Sequence, residues 1–394
     1  MIVVTSNWGL GDGTLVPAAA AWHGTLPAAI HRAALRAGIR GDGCYRPIER
    51  LDLVMAGDTF DWLLSAEWQS DAKPWQDTVT ARQAAARVAR RSIAAARRLL
   101  GPVIHWARQG LSVPAAAGAR PGRAQVRIPV RVTLLAGDRD AAIEQYVGDR
   151  RDRQPVTVGS RWDDGRVSIR HGHDLDPACR AGRDRPGSQD RPPTLAESIA
   201  VDLVGRFAAT ARPVAPGIGR LVRSLAGGGP LGIPAVLSAH TGTASGGIGG
   251  CISSITDTWR RCVDAWWHEA RRLVPACEVE FDAVEAIAGW FAGDCTGWNR
   301  VPKGLDRLCP KPPHGSPGLV LGHVRCAAGD SAVVCLGPGP DPTEHRGPTV
   351  IACPGVGGWP RWTSILPTAE CPAVVAIRAE EPPAAHGGRI VDAA

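Results

Sequence analysis

Residues 51–61 read Leu-Asp-Leu-Val-Met-Ala-Gly-Asp-Thr-Phe-Asp, an apolar run that stops abruptly at Gly57. A short apolar run bounded by glycine predicts a buried strand. Asp58 and Asp61 then stand at the exit of that strand. In an α/β sheet, ligands gather at the carboxyl edge of the strands. A carboxylate buried there needs a partner, and a metal ion is one.

The pattern repeats on either side. Residues 2–6 predict a strand running into Asn7-Trp8-Gly9-Leu10-Gly11-Asp12-Gly13. Residues 17–40 read as helical or mixed. Residues 77–109 are rich in Ala and Arg, with Val88, Ile93, Leu99 and Ile104 at helical spacing, and Gly101-Pro102 predicts a break into two helices. Residues 112–128, full of Gly, Pro, Ala and Arg, read as a loop. Residues 129–135 predict a strand ending in Gly137-Asp138-Arg139-Asp140. Two more strands, at 155–160 and 166–170, are joined through the turn residues Asp163, Asp164 and Gly165, and the second runs into His171-Gly172-His173-Asp174-Leu175-Asp176. Strands and helices in alternation, with acids at the strand exits, predict an α/β sheet with crossover helices.

Residues 179–193 form a polar linker containing Arg180, Arg183 and Arg185, read as a solvated loop. A helical block follows at 194–300. Its first helix opens on Thr194 and Glu197 at capping-box spacing, and two amphipathic helices cover 257–274 and 281–291. Trp259, Trp266, Trp267 and Trp290 on these helices are expected in a core, with a lipid- or partner-binding face as the alternative. Strands return at GLVLG, SAVVCLG, TVIAC and AVVAIR from residue 317 onward. The expected division is a core of 1–178 and 315–394 with the block at 194–300 inserted as a helical cap.

Composition adds bounds. The 394 residues suffice for one large domain with an insertion or for two domains. A net charge of +7 favours anionic partners, although arginine spread over a solvated surface gives the same count. Eleven cysteines without a C-x-x-C pair argue against a zinc ribbon and for free thiols in a reducing compartment. The chain starts almost directly on a strand, and no run of 18 apolar residues occurs. The expected location is the cytoplasm, with peripheral contact at the inner face of the membrane left open.

In order, the strand ends carry Ser-Asn-Trp-Gly at 6–9, Gly-Asp-Thr-Phe-Asp at 57–61, Gly-Asp-Arg-Asp at 137–140, His-Gly-His-Asp at 171–174 and Gly-His-Val-Arg at 322–325. This series resembles the motifs of the calcineurin-like metallophosphoesterases over residues 1–178 and 315–380. Arg139 followed by Ile143, the helical insertion, and the small residues before Trp359 are similar to the UDP-2,3-diacylglucosamine pyrophosphohydrolase branch. The resemblance implies a four-layer metallophosphoesterase β-sandwich flanked by helices. It also implies hydrolysis of a phosphoester or pyrophosphate bond in a phosphate-containing small molecule or lipid-linked nucleotide.

The departures from the family fall on one metal site. Its ligand positions are taken by Asn7, Gly9, Asp58 and Arg325, and three of these are poor ligands. The other site maps onto Asp58, Asp138, His171 and His323, all able to bind a divalent ion. The expectation is therefore one divalent metal, Mn²⁺, with Arg325 holding a phosphate oxygen and no intact second site. His240 is a rival for the last histidine. Asp61, Asp140, His173 and Asp174 are supporting or reserve groups, and Asp174 or Asp176 would orient a ligand imidazole. Asp12 reads as a surface turn or as a substitute for the lost first acid. Caps and turns are the plain alternatives for Asp58 and Asp138. Two other functions stay open: a catalytically inactive scaffold on this fold, and a nuclease. The nuclease reading, and nucleic acid as partner, are disfavoured by the missing third-motif histidine.

Overall fold

The fully buried strand around Leu53 lies at the middle of a mixed α/β architecture. The computed structural model describes residues 1–6, 8–18, 26–39, 42–147, 156–163, 168–180, 191–213, 252–273 and 281–293, scattered positions in 218–237, and five short strands between 319 and 377. Asn7, His240, His323 and Arg325 lie outside the described residues, as does Trp359.

Strand β1 (Ile2–Thr5) and strand β2 (Leu51–Met55) are buried along their whole length, as expected for strands covered on both faces. They pair in parallel, Val3 opposite Leu53, with helix α1 (Leu26–Ala37) in the crossover between them. Strand β5 (Val130–Leu135) pairs in parallel with β2, and after the short helix α3 (Ile143–Val147) strand β6 (Val156–Gly159) pairs in parallel with β5. A late strand, β13 (Val374–Ile377), closes the other edge antiparallel to β1, giving the order β13-β1-β2-β5-β6. A second sheet has the order β10-β9-β8-β7, from Val333–Cys335, Leu319–Leu321, Ser168–Arg170 and Arg161–Asp163. Strands β11 (Thr349–Pro354) and β12 (Pro360–Ile365) form a separate pair.

Two sequence expectations fail between β2 and β5. Helix α2 (Val79–Gln109) is one continuous helix with Pro102 inside it, not two helices. Its apolar face holds across the proline, with Val88, Ala96 and Val103 all buried in the core beneath. Arg98, whose carbonyl loses its helical partner to the proline, is exposed, so solvent can take that bond. The segment read as a loop is a hairpin, β3 (Leu111–Ala117) and β4 (Arg120–Ile128), turning at Gly118 with φ +61°. Leu111, Val113 and Ile128 bury on one side, and a register shift between Pro114 and Ala116 accommodates the proline.

The helical block begins with a capping box: Thr194 Oγ1 accepts from the Glu197 amide at 3.0 Å, and the Glu197 carboxylate accepts from the Thr194 amide at 2.8 Å. Helix α4 (Leu195–Ser198) widens into a π-helical stretch (Ile199–Gly205) and continues as α5 (Arg206–Ala211). Helices α6 (Ile252–Leu273) and α7 (Phe281–Ala292) pack on it. Trp259, Trp266 and Trp290 are buried there, with Trp267 partly buried against them. Trp266 Nε1 donates to Ser198 Oγ at 2.9 Å, and Trp259 Nε1 to the Phe291 carbonyl at 3.0 Å. These tryptophans are core. No described helix is long and apolar enough to cross a membrane.

Candidate metal centre

The exits of β2, β5 and β8 converge because β2 and β5 are neighbours in one sheet and the chain after β8 packs against both exits. The β2 and β5 exits each pass through a glycine that lies against another residue of the site. Gly57 has φ +90°, and a Cβ there would overlap the His171 ring. A Cβ on Gly137 would overlap the Asp58 carboxylate and lie 2.5 Å from its amide nitrogen. Asp58 itself has φ +49°, the one positive φ among described residues other than glycine. Such backbone costs of order 1–3 kcal/mol and gathers at functional sites. The β1 exit is tied in through its backbone: the Gly9 amide donates to the Asp58 carbonyl at 3.0 Å, and Leu10 to Thr59 at 3.0 Å.

His171 is buried with 1% of its surface exposed. Its Nδ1 lies 2.8 Å from the Ala56 carbonyl. A carbonyl can only accept, so Nδ1 carries a proton. Nε2 then points at two carboxylates, 3.0 Å from Asp138 Oδ1 and 3.3 Å from Asp58 Oδ2. With Nδ1 protonated, a neutral ring turns a lone pair toward these oxygens. A second proton or a metal ion resolves that repulsion. Burial pulls the His171 pKa down, but Asp58 and Asp138 outweigh it and hold the pKa well above 6.5.

Asp138, His171 and His173 form a group whose donor atoms lie within 4.8 Å of one another. Mixed imidazole and carboxylate donors suit a divalent transition metal, and a histidine whose other nitrogen donates to a carbonyl is oriented for ligation. The residues therefore fit such an ion. Of the expected ligands, Asp58, Asp138 and His171 come together, while His323 lies outside the described residues. His173, read as a reserve group, is a full member of the cluster.

Arg139 is the main group whose role the sequence reading missed. Its Nη1 donates to Asp61 Oδ2 at 3.1 Å, its Nε lies 4.0 Å from Asp58 Oδ2, and its amide donates to Asp58 Oδ1 at 3.1 Å. Burial lowers its pKa, but Asp61, Asp138 and Asp58 raise it further, so the guanidinium stays charged. The signal was present in Gly-Asp-Arg-Asp, where a cation stands between two acids. Asp61 both accepts from Arg139 and receives the Leu64 amide at 3.2 Å. Asp140 receives the Gly137 and Phe60 amides at 2.7 and 3.1 Å. Burial and then the Asp58 charge push Asp140 up to about 7 against those two bonds. Three acids, Asp58, Asp61 and Asp138, stand against one permanent cation, Arg139, so a bound cation would meet an excess of acidic groups.

Two acids have other duties. Asp174 pairs with Arg170 at 3.1 Å rather than orienting an imidazole, and Asp176 caps the turn at Pro177–Cys179 through the Ala178 amide. Asp12 is not a surface turn, and its side-chain partners are not members of the centre. It is buried, accepting from Thr14 and from Ser65 Oγ at 2.7 Å and pairing with Arg91 at 3.1 Å. Burial there is tolerable because every oxygen has a donor. Cys179 is buried, and burial with the nearby carboxylates keeps it a thiol.

Comparison with protein-family models, with curated proteins and with solved structures finds no match to this chain.

Proposed function

We propose that this chain hydrolyses a phosphoester or pyrophosphate bond with the help of one divalent metal, Mn²⁺ in the first instance. The observation that carries the proposal is His171: its proton is committed to the Ala56 carbonyl while Nε2 faces Asp138 and Asp58. Asp138, His171 and His173 would hold the ion, with Asp58 beside them. Such an ion supplies Lewis acidity toward phosphoryl oxygens and acidifies water.

The reaction class rests on the order of strand-end motifs, which resembles that of the calcineurin-like phosphoesterases. A single ion is favoured over two for a local reason. On the other flank of Asp58, positive charge comes from Arg139 within the chain, and Gly9 offers no side-chain donor. Asp58 is thus shared between Arg139 and the metal cluster. A planar guanidinium is also suited to a phosphate oxygen, although here Arg139 is committed to Asp61.

The test is metal content of the purified chain, then hydrolysis of bis(p-nitrophenyl) phosphate with added Mn²⁺. About one equivalent of metal and Mn²⁺-dependent turnover are expected. Turnover that survives Asp58→Ala combined with His171→Ala would refute the assignment. A folded chain that binds no divalent ion would instead favour the non-catalytic scaffold, the reading that Gly9 and Asn7 suggest.

A further inference from the structure

Residues 78–137 contain eleven arginines and no aspartate, glutamate or lysine. The whole chain is at +7, so these sixty residues account for more than its entire excess and leave the remainder at −4. The segment is α2, the β3–β4 hairpin and β5. Three of its arginines are neutralised from outside: Arg82 by Asp77, Arg87 by Glu67, and Arg91 by Asp12 and Glu67. The other eight are exposed, and no ion pair to a described residue is found for them.

Their placement is ordered. At 100° per residue, Arg90, Arg97 and Arg108 fall within about 20° of one another around α2, along a line of about 27 Å. That line lies opposite the buried Val88 and Val103. Arg120, Arg123 and Arg127 follow on β4, and Arg127 donates to the Gln109 carbonyl at 3.1 Å, tying the hairpin to the end of the helix. Solvent-exposed helix faces are ordinarily laced with both signs of charge. Here like charges stand without counter-charge, an arrangement that repels itself and is relieved by a polyanion.

The chemistry narrows the polyanion. Guanidinium groups grip phosphodiester oxygens bidentately. Binding at a bilayer surface pairs basic residues with an apolar face that enters the headgroup layer. The large exposed apolar residues among those described are only Ile39, Val79 and Val126, scattered singly. Between the arginines stand small residues, Ala94 and Gly101 on α2 and Ala116 to Ala119 at the hairpin turn, which let a rigid backbone approach. Trp106 is the one aromatic of Phe, Tyr and Trp type in the segment and is half-buried, so no platform for stacking unpaired bases is present there. We infer that the arginine line of α2 and β4 is a sequence-independent docking surface for the phosphate backbone of double-stranded nucleic acid.

The surface is separate from the metal centre. Helix α2 leaves the exit side of β2 and delivers the chain to the start of β5, so its end and the hairpin lie at the opposite edge of the sheet from Asp58 and Asp138. The inference stands or falls without the hydrolase proposal.

The experiment is fluorescence anisotropy of a labelled random-sequence 30-base-pair DNA with the full chain in EDTA, at stepped NaCl. Log affinity is expected to fall linearly with log salt, with a slope near −4 or steeper. Changing Arg97, Arg98, Arg108 and Arg127 together to Gln should flatten that slope by about 3 to 4 and weaken binding more than about tenfold at 0.1 M salt. The same four changed to Lys should retain most of the slope, which separates lost charge from lost fold. Changing Arg260, Arg261, Arg271 and Arg272 of α6 to Gln should leave binding unchanged. The inference is overturned if the duplex does not bind, if the α6 set weakens binding as much as the α2 set, or if vesicles of 30% phosphatidylserine in phosphatidylcholine bind where the duplex does not.

Discussion

Gly57→Ala and Gly289→Ala are the same chemical change with opposite expected outcomes. Gly57 sits at φ +90°, where a side chain costs about 1–2 kcal/mol. An added Cβ would also meet the His171 ring, with even His171 Cβ only 2.7 Å away. His171 cannot retreat freely, because its Nδ1 is bonded to the Ala56 carbonyl in the adjacent turn. Overpacking of that kind typically adds about 1–3 kcal/mol. The sum predicts a loss of about 2–5 kcal/mol for Gly57→Ala. Gly289 lies exposed inside α7 with nothing within 4 Å of an added Cβ and no proline after it, so Ala there should gain up to about 1 kcal/mol from helix propensity. Denaturant midpoints of the two variants in EDTA measure the contrast, and Mn²⁺ titration calorimetry should show weakened binding only for Gly57→Ala. A Gly57→Ala midpoint at or above that of the unchanged chain would refute the close approach of the β2 exit to His171.

In the metal-free chain, stability should fall as pH rises. The His171 pKa is raised in the fold, so its contribution is complete below about 6.5 and is lost as pH passes the folded value. Asp140, raised from 3.8 to about 7, acts in the same direction between those values. Excess Mn²⁺ should flatten or reverse the trend, because ligation requires the deprotonated ring; urea midpoints from pH 5 to 9 with and without metal check this. Lys73 pairs with the buried Asp202 at 2.8 Å, joining the loop before α2 to the π-helical stretch. Lys73→Met should cost about 3 kcal/mol by stranding that carboxylate, and Lys73→Met with Asp202→Leu should recover most of it in the same denaturation assay. Thr194→Ala removes the capping-box hydroxyl and should cost about 1 kcal/mol by thermal or denaturant unfolding.

Local chemistry wrote much of the fold into the sequence. Largely apolar runs gave β1 and β2, which are buried along their whole length, and alternation gave β5, whose Arg131 faces solvent while Val130, Val132 and Leu134 are buried. Capping-box spacing gave the start of α4, because a cap needs only residues three apart. The same locality misled at Gly101-Pro102 and at the hairpin, where composition signalled a break and a loop. In both places burial of distant partners decided the outcome: Val88 and Val103 beneath the helix, Leu111 and Ile128 beneath the hairpin.

By itself, then, the sequence determined that acids stand at the exits of buried strands, and that a run of sixty residues carries only positive charge. Only the tertiary structure decided which of those groups meet. Asp58, Asp138 and His171 are 33 to 113 positions apart, and they meet because β2 neighbours β5 in the sheet while the chain after β8 folds against their exits. It also decided that His173 joins the cluster, that Arg139 turns inward between Asp58 and Asp61, and that Asp12 serves Ser65 and Arg91 instead. Pattern along a chain reports which residues are buried. The direction of a ring nitrogen toward a carboxylate depends on sheet order and on the packing of one loop against another, and neither is a local property.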